Sequence, residues 1–255
     1  MLLQVINPNS TAAMTDAIAA TARGVAAVGT SVSAVTNTGA PASLQSHTDE
    51  ALAVPGMLAA VAAGERAGVD GHVIACFGDP GLDAAREVAR GPVVGIAEAA
   101  MHLATMLGRG FSVVTTLGRT RARAQELAVR YGMAEACRAV RACEVPVLEL
   151  DGPGSAAEQR VLAECRAALA EDDADVIVLG CAGMADLTVR LGQRLGVPVV
   201  DGVTAATVLA QSLVTLGLAT STRQELAPLP ADTLAALDRA PGTGAPDPRR
   251  ATVPR

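Results

Sequence analysis

Short β-branched runs alternate along most of the chain with longer Ala- and Leu-rich stretches of helical period. The runs predict strands over residues 2–6, 31–35, 72–75 and 93–95, then 112–115, 145–150, 175–179 and 197–200. They are apolar at consecutive positions, as in strands buried on both faces. Strands of that kind alternating with helices form parallel sheets.

The two series of strands match one another. Val73-Ile74-Ala75-Cys76-Phe77-Gly78 corresponds to Val178-Leu179-Gly180-Cys181-Ala182-Gly183, each strand running into a cysteine and then a helix. Pro92-Val93-Val94 begins 16 residues after the first cysteine, and Pro198-Val199-Val200 begins 17 after the second. Paired alanines, Ala99-Ala100 and Ala205-Ala206, follow each at the same interval. Val5-Ile6-Asn7-Pro8 parallels Val113-Val114-Thr115-Thr116, and Gly39 to Ser43 parallels Gly152 to Ser155. A repeat that keeps its order through these elements predicts an α/β fold. Two similar lobes, each a parallel sheet flanked by helices, are then related by a pseudo-two-fold axis with the active site between them. Residues 1–98 form one lobe, completed by 206–238, and residues 99–205 the other. The Pro-, Gly- and Arg-rich residues 240–255 are expected to be a disordered tail.

Composition narrows the chemistry. All twenty basic residues among the 255 are Arg. The absence of Lys excludes pyridoxal phosphate enzymes, lysine-dependent aldolases and P-loop nucleotidases. A net charge of −6 gives no positive field to gather nucleic acid or anionic lipid. With Phe77, Phe111 and Tyr131 as the only aromatics, stacking platforms for bases are not expected. The longest apolar stretches are broken by Pro, Gly and polar residues, so buried helices rather than membrane spans are expected. The N-terminus lacks the pattern of a signal peptide. Five cysteines without disulfide-like spacing point to a reducing, cytoplasmic setting. No Cys-x-x-Cys or His-x-x-x-His pair exists, so no metal site is expected.

In open parallel sheets a ligand sits beyond the carboxyl ends of the strands. Asn7, Cys76, Thr115 and Cys181 all fall there. Two facing lobes would bring Cys76 and Cys181 to one cleft from opposite sides, as a two-base racemase requires. Asp79 and Pro80 read as the cap and first turn of a helix after Cys76. A thiol at such a helix start is expected to have its pKa lowered toward neutrality. Cys137, Cys143 and Cys165 read as packing residues in or near helical segments. The run Asn7-Pro8-Asn9-Ser10-Thr11 reads either as a helix cap or as a neutral polar cradle.

The segments Ile6 to Ser10, Ala75 to Gly81, Val94 to Ala99 and Leu179 to Met184 resemble the hydantoin and allantoin racemases of the aspartate/glutamate racemase superfamily. The resemblance covers roughly residues 1–219. It implies a cofactor-independent homo-oligomer acting on a cyclic ureide, a 5-substituted hydantoin or allantoin. It also implies Cys76 and Cys181 as the acid/base pair. Asn7, Phe77, Gly78, Thr115, Thr116, Ala182 and Gly183 would line the ring pocket, and residues 41–45, with Ser43 and Leu44, would form its lid or wall. Gln45 stands where relatives often carry Glu, which bears on the preferred substituent. Such a ring has no carboxylate, in keeping with the lack of Arg or Lys among these motif residues. Rival readings are a related arylmalonate-decarboxylase- or maleate-isomerase-like enzyme, which would need one cysteine and an acidic substrate, and a catalytically silent ureide-binding protein.

Overall fold

The computed structural model describes residues 1–150 and 154–237. The expected tail at 240–255 and part of the repeat at Gly152 and Pro153 lie outside the described residues. The chain forms two four-stranded, wholly parallel sheets. The first has the order β2-β1-β3-β4, from β1 (Leu2–Asn7), β2 (Ser31–Thr36), β3 (Gly71–Ile74) and β4 (Val93–Gly95). The second has the order β6-β5-β7-β8, from β5 (Phe111–Thr115), β6 (Cys137–Ala142), β7 (Val176–Leu179) and β8 (Val199–Asp201). The two orders are the same after a shift of four strands. Within them Ile6 pairs with Ile74 as Val114 pairs with Leu179, so Asn7 and Thr115 end equivalent central strands.

One strand differs from expectation. Residues 145–150 are not a strand; Val147–Glu149 form a 3-10 turn after Pro146. Glu144 takes a left-handed backbone (φ 52°), which breaks extended geometry just before it, and Pro146 has no N–H to give a ladder. The true strand is the Arg-bearing segment Cys137–Ala142. It is an edge strand whose outer face meets water, so it carries no apolar run. Cys137 therefore opens a strand and Cys143 follows it, whereas Cys165 does lie in a helix, α6 (Ala156–Glu171).

The helices after β4 and β8 join the two halves. α4 (Ile96–Leu107) leaves the first sheet and packs against β7, β8 and β5, whereas α8 (Gly202–Thr215) leaves the second and packs against β3, β4 and β1. They also pack on one another. Their buried faces are built largely from alanine, with Ala97, Ala100, Ala104, Ala206 and Ala210 each at most 1 % exposed, so the backbones can come close. At the crossing, a Cβ on Gly202 would lie 2.4 Å from the carbonyl oxygen of Ile96. One continuous apolar core runs through this joint, from Leu3, Val5 and Val73 to Phe111, Val113 and Val178. Each half adds an outer cluster of its own, around Ile6, Met57 and Ile74 in the first and around Leu162, Ile177 and Leu191 in the second. Among the described residues no helix is long and apolar enough to cross a membrane.

Candidate active site

The carboxyl ends of β3 and β7 turn sharply at Cys76 and Cys181. In each case the backbone N–H three residues on closes a turn onto the cysteine carbonyl: Asp79 onto Cys76 at 2.9 Å and Met184 onto Cys181 at 3.0 Å. Both thiols line a single cleft with about 600 Å³ of atom-free space, its open mouth included. Of the residues implied for the pocket, Leu44, Phe77, Gly78, Thr115, Thr116 and Ala182 line it with them. Asn7, Ser43 and Gly183 do not.

The placement of those three has local causes. The Asn7 amide is fully buried and donates to the Asn9 side chain (2.8 Å), the Thr15 hydroxyl (3.0 Å) and the Thr11 carbonyl (3.3 Å). Asn7 thus shapes the 7–11 loop, and Asn9, two residues on, reaches the cleft. The Ser43 hydroxyl accepts a 2.6 Å bond from Gln45. Gly183 lies beside Cys181, where a Cβ would come 3.7 Å from Sγ, and its backbone N–H bonds the sulfur.

Several lining residues carry no signal of their own in the sequence. Glu50, on α2 (His47–Arg66), and Arg123, on α5 (Arg121–Arg130), face one another across the cleft at 3.5 Å. The Arg123 guanidinium also donates to the Gly78 carbonyl at 3.0 and 2.8 Å. The cleft therefore contains an arginine from outside the motif segments, and one already partnered. Burial raises the pKa of Glu50, and the nearby Arg123 opposes that rise. Val147 comes from the segment read as a strand, and Thr120 and Met14 from the openings of helices. Glu50 and Arg123 sit on otherwise ordinary polar helix faces, where nothing local distinguishes a cleft residue from a solvated one.

The expected acidification of the thiols does not occur. Both keep some exposure toward the cleft, but protein atoms surround them. Burial pushes Cys76 up to about 12 and Cys181 to about 11. The backbone N–H groups of Gly78 and Gly183 stabilise the respective thiolates without reversing the effect, and the Glu50 and Asp79 carboxylates add to the rise at Cys76. Helix dipoles offer little here. Cys181 precedes only a 3-10 segment, Ala182–Leu187, and after Cys76 the chain makes a turn before the seven-residue α3 (Leu82–Val88).

Asp79 does not cap that helix either; Gly81, in a left-handed conformation, stands at its start. The Asp79 carboxylate accepts instead from the Ala97 and Glu98 N–H groups (3.1 and 2.9 Å), and so caps α4. In the second half Asp201 caps α8 directly, accepting from Thr204 N–H at 2.8 Å. Gly95 occupies the position equivalent to Asp201. A Cβ there would lie 2.4 Å from the Asp79 carboxyl carbon, so the glycine admits a cap from another loop. Among the described residues no group of three or more His, Cys, Asp or Glu side chains could hold a metal ion.

Two equivalent parallel-sheet halves with one thiol each at a shared cleft define the class: a pseudosymmetric α/β enzyme of the racemase fold. Comparison with known proteins agrees, since residues 3–210 match the Asp/Glu/Hydantoin racemase family, and the chain belongs to it. It is 51 % identical over 221 residues to a hydantoin racemase of Rhizobium meliloti, covering 87 % of this chain and 92 % of that protein. It is 45 % identical to one from Pseudomonas sp. (strain NS671), covering 87 % and 89 %. Among solved structures it is similar to the allantoin racemase from Klebsiella pneumoniae, with a TM-score of 0.88, 52 % identity, and 90 % and 94 % of the two chains covered. The protein is an isomerase of this family.

Proposed function

We propose that the protein racemises C5 of a five-membered cyclic ureide, a 5-substituted hydantoin or allantoin, by moving a proton between Cys76 and Cys181. The observation that carries the reading is that thiols from equivalent positions of the two repeats line one cleft. The substrates named for the similar racemases support the choice of ring.

The chemistry follows from the ring and the two thiols. C5–H lies beside a carbonyl. As a thiolate on one face takes the proton, an S–H bond forms, the C5–H bond breaks, and the electron pair spreads into the carbonyl as an enolate. The opposite thiol then gives its proton to the other face of C5, leaving itself as the thiolate. The product is the mirror image, and the charge has moved from one sulfur to the other. Poor solvation makes each thiolate scarce but strongly basic once formed, which suits a weak carbon acid. Asn9 can assist: among the described residues its amide donor meets only the thioether sulfur of Met14, at 3.0 Å. A ring carbonyl would be a better acceptor and would gain strength as negative charge develops.

The test is the decay of circular dichroism of single enantiomers of allantoin and of a panel of 5-substituted hydantoins. Wild type should racemise at least one of them. Cys76→Ser and Cys181→Ser should each abolish inversion while still exchanging the C5 proton for deuterium in one enantiomer only. Normal racemisation by both variants would refute the two-thiol path.

A further inference from the structure

The two cysteine turns are built alike but held differently. Asp79 stands three residues after Cys76, and Met184 stands at the equivalent place after Cys181, buried in the apolar cluster of the second half. Asp79 is 3 % exposed and adopts a left-handed backbone, φ 42°. A non-glycine residue keeps that conformation only where its surroundings impose it. Three donors do so here: the two N–H groups opening α4, and the Tyr131 hydroxyl at 2.7 Å.

Tyr131 follows the last residue of α5, a helix of the second half. The same helix sends Arg123 to the Gly78 carbonyl and Arg130 to the Asp83 carboxylate. Three side chains from this helix and the residue that ends it thus grip residues 78, 79 and 83, just beyond Cys76. The turn after Cys181 meets α1 (Ala12–Val25) through an apolar approach, with Met14 Cε 3.5 Å from where a Cβ of Gly183 would sit.

We propose that Asp79 and Tyr131 are positioning residues for Cys76: the hydrogen-bonded clasp from the opposite half fixes the turn that aims this thiol into the cleft, and among the described residues Cys181 has no such clasp. The inference rests on the two-thiol reading above. It assigns the pair no contact with substrate.

The test uses Tyr131→Phe, which keeps the ring and removes only the hydroxyl, with Asp79→Asn as a second variant. Three measurements are made on each: racemisation in both directions, C5 deuterium uptake by each pure enantiomer, and the rates at which iodoacetamide labels Cys76 and Cys181, resolved by peptide mass spectrometry. Enantiomers are equal in free energy, so racemisation should fall equally in both directions, by roughly 10²-fold if the thiol is displaced by about 1 Å. Deuterium uptake should persist for the enantiomer that Cys76→Ser still exchanges and fall for the other. The labelling rate of Cys76 should change several-fold while that of Cys181 stays at the wild-type value. Equal changes at both cysteines, or wild-type rates throughout, would overturn the assignment. If Asp79→Asn does not fold, Tyr131→Phe decides alone. Inactive Cys→Ser variants beside a wild-type-like Tyr131→Phe would refute the positioning role only, whereas active Cys→Ser variants would refute the two-thiol reading itself.

Discussion

At the scale of single residues, the feature with most consequence is the direction in which the fold moves its two thiols. A cleft of small residues and buried strand ends has little to solvate a thiolate, so desolvation outweighs the Gly78 and Gly183 N–H bonds, and both pKa values rise from 9.0, to about 12 and 11. The two-base transfer proposed above needs one thiolate opposite one thiol. With both groups protonated at neutral pH, the competent form grows as pH rises. kcat/KM of the free enzyme should therefore climb about tenfold per pH unit through neutrality and past pH 9, where an unperturbed cysteine would already be levelling off. A plateau near pH 7 in the measured profile would show that the thiols are acidified instead. The residues that make this environment were only partly legible. Cys76 and Cys181 stood out because a repeat placed them at matching strand ends. Glu50 and Arg123 did not, because a helix face toward a cleft and one toward water carry the same residue types.

At the scale of elements, most strands were readable because burial on both faces leaves a continuous apolar run. The edge strand Cys137–Ala142 escaped for the converse reason. Arg141 on its outer side bonds Asp172 twice at 2.6 Å and Glu171 at 2.7 Å, so the strand has a polar composition. The nearby Val145 to Leu150 is apolar because Val147 walls the cleft and Val145 and Leu150 pack into the outer cluster of the second half, not because the segment joins a sheet. Capping was misread similarly: Asp79 lies next to α3 in sequence but serves α4 in space. The crossing of α4 and α8 offers a direct test of packing. Gly202→Ala would normally gain some helix propensity, but its Cβ would meet the Ile96 carbonyl oxygen at 2.4 Å. Backbone cannot swing aside as a side chain can, so the variant should lose about 1–3 kcal/mol, seen as a lower urea midpoint with an unchanged slope. A higher midpoint would mean the helices separate more freely than their contact implies.

At the scale of the whole molecule, each half is completed by a helix whose strand belongs to the other. The shared core through α4 and α8 means that neither sheet can lose its partner without exposing Val73, Phe111, Val113 and Val178 together. Heating should therefore give one cooperative transition, with calorimetric and van't Hoff enthalpies in agreement. Two resolved transitions would show that the halves unfold separately. Hydrophobic patterning and internal repetition, properties of local chain composition, were sufficient by themselves to determine two parallel-sheet halves, the strand ends that border the cleft, and the two cysteines at those ends. Tertiary structure alone decided which helix faces close the cleft, which loop caps which helix, and whether burial or hydrogen bonding governs the thiols. Those outcomes depend on distances between residues far apart in the chain, and on how much water is left around a charge once they meet.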